Sequence, residues 1–218
     1  MNRRRMMMSQ QSKSFELVYD AASGILLSED SRWSYFNSGY GVGGYHNDSE
    51  IENNLLKISC DHLNGFQTYR PIEHLQAKKS EIIIEVESWV CGSWGSDMRG
   101  CILGVVLTDG IYYAAVNIGA EKICIGKVSG RESINYGGIW ANLTNIDYAT
   151  PQKFTFRMVF DSGIAYYYIN DELLYTQTAL LDKTTIQGTT INANEMFNTI
   201  RFGAMSTTYI SKITYKEW

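Results

Sequence analysis

Residues 81–89 read EIIIEVESW. Side chains on a strand alternate with a period of two, so Glu81, Glu85 and Glu87 share one face while Ile82, Ile84 and Val86 share the other. Paired carboxylates are the machinery of glycoside hydrolysis, and two residues apart on a strand means about 6.6 Å, within the span of a retaining or an inverting pair. The same stretch also describes a plain amphipathic strand, with glutamates in water and isoleucines on a core. A second set of residues suits binding. Sugar rings stack their apolar faces on Trp and Tyr while neighbouring polar groups bond the hydroxyls. Trp94 in GSWGSDMRG, and Tyr136 with Trp140 in INYGGIWANLTN, have that composition. Trp89 and Arg70 are further carbohydrate-binding candidates, and Trp33, Tyr35, Tyr40 and Tyr45 form an earlier aromatic group.

Other chemistries find less material. His46, His62 and His74 have no Ser, Cys or acidic partner at a recognisable spacing, so neither a triad nor a zinc site is expected. Cys60, Cys91, Cys101 and Cys124 form no CxxC pair and read as buried thiols, the alternative being one bridge from Cys91 to Cys101 across the ends of a hairpin. Asn47, Asp48, Asp97, Asp109 and Asn117 are oxygen donors without a spaced D-x-D-x-D loop, so no metal is expected. GYGVGGY lacks the strand-to-helix setting of a phosphate loop. The net charge of -4 gives no overall basic field for nucleic acid or an anionic membrane. The opening MNRRRMMMSQQSKS has too short an apolar run for a secretory signal, and the longest apolar stretches are strand-length, so no membrane span is expected.

The elements that must position these residues are strands. A chain of 218 residues fits one all-β sandwich domain, with residues 13–218 as the domain and residues 1–12 as a flexible N-terminal arm. Period-two runs predict thirteen strands, at 15–19, 33–37, 55–60, 65–70, 80–91, 100–108, 111–117, 122–128, 152–160, 164–170, 172–178, 199–204 and 208–218. One helical turn is expected at 192–197, capped by Asn192. Asp109-Gly110, the segment Asp161-Ser162-Gly163 and Asn170-Asp171 read as tight turns, which makes the strands they join antiparallel. The segment from Ser129 to Tyr148 reads as a long irregular loop, a favoured place for binding.

With these strands in order, KFTFRMVFDSGIAYYYINDELLY at 153–175 resembles the late hairpins of concanavalin A-like lectin and glucanase sandwiches, with Asp171 where their pattern usually has glycine. FNTIRFGAMSTTYISKITYKEW resembles the closing strands of laminin-G-like members, whose last strand pairs with the first, and FQTYRPI is similar to an early strand presenting Tyr and Arg to a ligand. The resemblance implies a two-sheet antiparallel jelly-roll β-sandwich and a non-catalytic carbohydrate-binding module, acting through a concave sheet face and aromatic loops, with a structural calcium ion in some members. It also supplies a comparison for the opening strand. Laminarinase-group glycoside hydrolases carry E-I-D-I-E, nucleophile first and acid/base last; Glu81 and Glu85 match its ends, and Ile83 stands where the helper aspartate belongs. A third expectation is a phage virion protein for head or tail decoration or receptor binding, its arm docking residues 1–12 on a homo-oligomer or virion partner.

Overall fold

The computed structural model describes residues 14–38, 47–60, 66–73, 75, 79–91, 102–107, 112–117, 122–129, 133–142, 153–162, 164–177, 184–186, 189–191, 197–203 and 206–218. In chain order these form β1 (Phe15–Asp20), β2 (Trp33–Ser38), β3 (Asn47–Glu52), β4 (Leu55–Cys60), β5 (Phe66–Pro71), β6 (Lys79–Cys91), β7 (Ile102–Leu107), β8 (Tyr112–Asn117) and β9 (Lys122–Ser129). They continue with β10 (Ser133–Asn142), β11 (Phe154–Asp161), β12 (Ile164–Ile169), β13 (Glu172–Gln177), β14 (Thr184–Ile186), β15 (Thr189–Ile191), β16 (Phe197–Gly203) and β17 (Ser206–Glu217). One 3-10 turn, Ala21–Ser23, follows β1.

Two antiparallel sheets carry the fold. One has eight strands in the order β13-β12-β11-β6-β17-β4-β3, with β1 also paired to β17. The other has seven, β10-β9-β8-β7-β16-β5-β2, and β14 with β15 makes a separate ribbon. The closing strand does pair with the first: Phe15 faces Glu217 and Asp20 faces Lys212. The core lies between the sheets, where Ile82, Ile84, Phe156 and Tyr215 of the larger sheet and Tyr69, Ile200 and Phe202 of the smaller are buried. Cys60, a buried thiol, reaches across the layer with its S–H donating to the Phe202 carbonyl at 3.9 Å. Cys60 and Cys91 both stand opposite Ser206, on either side of β17, so two strand spacings, about 10 Å, separate them and no bridge can join them. Cys101 lies outside the described residues, as do Asp97, Asp109, His46, His62, His74, the expected arm and most of the expected helical turn.

The long strand β6 breaks its period once, and β17 breaks with it. Tyr209 pairs with Ser88 and Ile210 with Val86, which leaves Glu87 as an extra residue on β6; Ile210 then pairs with Val86 and Lys212 with Glu85, which leaves Ser211 extra on β17. Two opposed bulges restore the register, and each shifts its strand's inward face by one residue. Inward positions on β6 are Ile82, Ile84 and Val86 before the bulge and Trp89 after it; on β17 they are Ser206, Thr208 and Ile210 before and Ile213, Tyr215 and Glu217 after. The extra residues contact one another, the Ser211 hydroxyl donating to Glu87 Oε1 at 3.1 Å.

Two turns show their chemistry in the backbone. Asn53 and Asn54 between β3 and β4, and Asn170 and Asp171 between β12 and β13, all have φ between 51° and 63°. A two-residue hairpin turn needs positive φ at both central positions, and Asn and Asp tolerate it best after glycine. The expected thirteen strands thus become seventeen among the described residues. The main addition bears on function: 133–142, expected to lie in an irregular loop, is the edge strand β10.

Candidate functional site

The carboxylates of β6 stand on the outer face of the eight-stranded sheet, each beside a cation or polar group of a neighbouring strand. Glu81 is nearly covered, with its side chain 10% exposed, and receives the Arg157 Nε–H of β11 at 2.5 Å. The Arg157 guanidinium lies over the Tyr168 ring at 4.6 Å, and its Nη1 is 3.9 Å from Asp171. Glu87 accepts from the Lys153 ammonium at 2.6 Å, and this bond, with a smaller contribution from Ser211, holds its carboxyl below the usual glutamate range. Glu85 stands between Thr155 on one side and Lys212 on the other. Further pairs continue the pattern: Glu16 with Lys216 at 3.5 Å, Asp161 with Lys79 at 3.5 Å, and Glu50 with Lys57 at 2.7 Å. Ile83, where a helper carboxylate would be needed between Glu81 and Glu85, is half-buried between Arg157 and Thr214.

The aromatic candidates divide. Trp89, expected on a binding face, is wholly buried in the core because the β6 bulge turns it inward. Trp33 is also buried, at 3% exposure, and Tyr69 of the FQTYR stretch points into the core, where its hydroxyl donates to Gln67 at 2.6 Å. Tyr35 pairs with Tyr69 across β2 and β5, their rings 5.1 Å apart, and stays 39% exposed. Arg70, one residue on from Tyr69, is exposed on the opposite face. Trp94, Tyr40 and Tyr45 lie outside the described residues.

The seven-stranded sheet brings Arg70 and Trp140 onto one side of the molecule. Buried Tyr69, Ile200 and Phe202 mark the inward phase of β5 and β16, so positions 68, 70 and 201 belong to the outer face. From Thr68 the register runs Phe36 on β2, Arg201 on β16, Gly104 on β7, Ala115 on β8, Cys124 on β9 and Trp140 on β10, one row crossing the whole sheet. The adjacent row ends on Asn117, Lys122 and Asn142. Tyr136 falls in the interval between Asn135 and Ile139 where β10 departs from regular pairing with β9. The glutamates and the Trp140–Arg70 set are therefore on opposite outer sides of the sandwich, with the core between them.

The period break at Glu87-Ser88 was readable: Val86 and Trp89 are three apart in a strand of period two, and Ile210 and Ile213 repeat the spacing in the strand that pairs with it. The row through Trp140 had no such signal, because it carries the consecutive strands β7–β10 on to β16, β5 and β2, which are distant from them in sequence.

No protein-family model matches the chain, and no characterised protein matches it by sequence. Solved structures do. The Crh5 transglycosylase superposes over 93% of this chain and 84% of its own with a TM-score of 0.55 at 11% identity. The metal-free carbohydrate recognition domain of Emp46p covers 86% of this chain and 88% of its own, with a TM-score of 0.53 at 10% identity. The β-glucanase of Bacillus licheniformis covers 94% and 99%, with a TM-score of 0.51 at 12% identity. The chain has the concanavalin A-like fold, a two-sheet antiparallel jelly roll. The virion expectation draws nothing from these structures.

Proposed function

We propose that the protein is a non-catalytic glycan-binding module whose binding surface is the outer face of the seven-stranded sheet. The observation that carries this reading is the row that sets Trp140, at the edge strand, level with Arg201 and Thr68 and on the same face as exposed Arg70. Glycine and alanine occupy the middle of the row at Gly104 and Ala115. That composition suits the floor of a shallow groove, with an aromatic platform towards one end and hydrogen-bonding groups towards the other. The names of the similar structures, a carbohydrate recognition domain among them, support a saccharide as the ligand class. Against hydrolysis stands the setting of Glu81 and Glu87, each engaged by a cation, on the outer face opposite to that of Arg70 and Trp140.

The test is a glycan array followed by titration of the responding oligosaccharides, read by tryptophan fluorescence. The expected result is binding that Trp140→Ala reduces at least about tenfold, the scale of one lost aromatic contact, and that Glu85→Gln leaves unchanged. Silence across a broad array would remove the reading, and β-glucan hydrolysis lost in Glu85→Gln would replace it with a glycosidase.

A further inference from the structure

The two sheets differ in charge far more than the whole chain suggests. The strands of the eight-stranded sheet carry eleven carboxylates and five cations. The seven strands of the other sheet carry no Asp or Glu at all and four cations, Arg70, Lys122, Lys127 and Arg201. A protein with a net charge of -4 thus has one sheet that is wholly without acid. The cations are also placed differently. On the acidic sheet Arg157 is held by Glu81 at 2.5 Å, and Arg32 at the sandwich end by Asp30 at 2.6 Å. Arg70 is exposed and has no carboxylate partner among the described residues. The register sets positions 70 and 201 diagonally across β5 and β16, since Tyr69 faces Ile200 and Thr68 faces Arg201. Such diagonal neighbours are about 7–8 Å apart, within reach of two long side chains converging on one group.

We propose that the ligand of this face is an anionic glycan, a saccharide bearing carboxylate or sulfate, held by Arg70 and Arg201 while the sugar rings run along the row towards Trp140. This rests on the glycan-binding reading and narrows it. The amides of Asn117 and Asn142 in the adjacent row can serve the hydroxyls of any sugar. The charged groups on the strands of this sheet are all cations, with no carboxylate to neutralise them, and guanidinium forks match carboxylate and sulfate in paired hydrogen bonds. The acidic sheet on the far side keeps the molecule negative overall, so the attraction is confined to one broad side.

Titrating the full chain with three oligosaccharides of matched length, an oligogalacturonate, a sulfated oligosaccharide and a neutral β-glucan, at low and high salt tests this. The expected result is binding of one or both charged probes that weakens as salt rises and falls about tenfold in Arg70→Gln and in Arg201→Gln, the scale of one charge-assisted pair. The two charged probes decide between carboxylate and sulfate. Lys153→Gln on the acidic sheet, a control of equal charge change, should leave binding as it was. Circular dichroism identifies any variant that misfolds, and for such a variant the Arg→Lys substitution at the same position, expected to retain part of the affinity, takes its place. Tight binding of the neutral glucan unaffected by Arg70→Gln overturns the inference and leaves the glycan module standing. Equal binding of a single-stranded polynucleotide of matched charge overturns it too, since the face would then be reading charge alone, and binding of no saccharide removes both.

Discussion

Asn170 and Asp171 show how much one backbone angle decides. Both sit at positive φ, 51° and 63°, at the turn between β12 and β13. Asn170 is fixed there by two hydrogen bonds with Thr155, its N–H donating to the Thr155 carbonyl at 3.0 Å and its side-chain oxygen accepting from the Thr155 N–H at 3.0 Å. Asp171 has no such role: its side chain is 86% exposed and only 3.9 Å from Arg157 at best. Glycine adopts positive φ without the Cβ clash. Asp171→Gly should therefore stabilise the protein by up to about 1 kcal/mol, read as a raised denaturant midpoint with an unchanged slope. A lowered midpoint would mean that the pairing with Arg157 outweighs the backbone term.

At the scale of elements the paired bulges on β6 and β17 are the decisive feature. Each extra residue keeps residues three apart, Val86 with Trp89 and Ile210 with Ile213, on the same inward face. Deleting Glu87 leaves Val86 and Trp89 two apart and in phase, with Val86 and Ser88 still opposite Ile210 and Tyr209, so Trp89 should stay in the core and the cooperative thermal transition should survive at a lower midpoint. Trp89→Ala, by contrast, should cost about 3–5 kcal/mol. A deletion that abolishes the transition would show that the core needs the bulge itself and not only the inward phase it preserves. Most strands were legible because one face of each is buried and the sequence alternates accordingly, as in Leu55–Cys60. The strand β10 was not: Asn135, Tyr136, Gly137 and Gly138 read as loop composition, and its pairing with β9 shifts there. The glutamate face of β6 was correctly drawn from spacing, but Trp89 was assigned by chain neighbourhood and the bulge overrode it. The charge difference between sheets was written in the strands all along, yet it appears only once each strand is assigned to its sheet.

For the molecule as a whole, hairpins such as β7–β8–β9–β10 and β11–β12–β13 are local, and the pairings that join them into sheets are distant in sequence. β17 lies at the middle of the eight-stranded sheet, with β6 on one side and β4 and β1 on the other, residues separated by more than a hundred positions. Its final residue, Glu217, is buried and accepts from the Tyr215 hydroxyl and from the Leu75 N–H. Burial and that bond to Glu217 push the Tyr215 phenol far above its usual range. Sheets built from non-local pairs fold slowly, because chain closure precedes the contacts that offset its entropy, and refolding from denaturant is expected in milliseconds to seconds rather than microseconds. A stopped-flow relaxation faster than that would place the nucleus in a local hairpin such as β11–β12.

The position of β17 also sets an order of events during synthesis. Residues 15–203 are synthesised before the strand that joins β6 to β4 and β1, and until 206–217 follow, the larger sheet can form only as two halves with an open seam. Each half exposes an unpaired edge, at β6 and at β4, for the time it takes to make the last strand, and such edges are sites for pairing with other chains. At the β6 edge Glu81 and Glu87 already have Arg157 and Lys153 beside them, whereas Glu85 gains its cross-strand neighbour Lys212 only when β17 arrives, so one of the three carboxylates is left to charge the open seam.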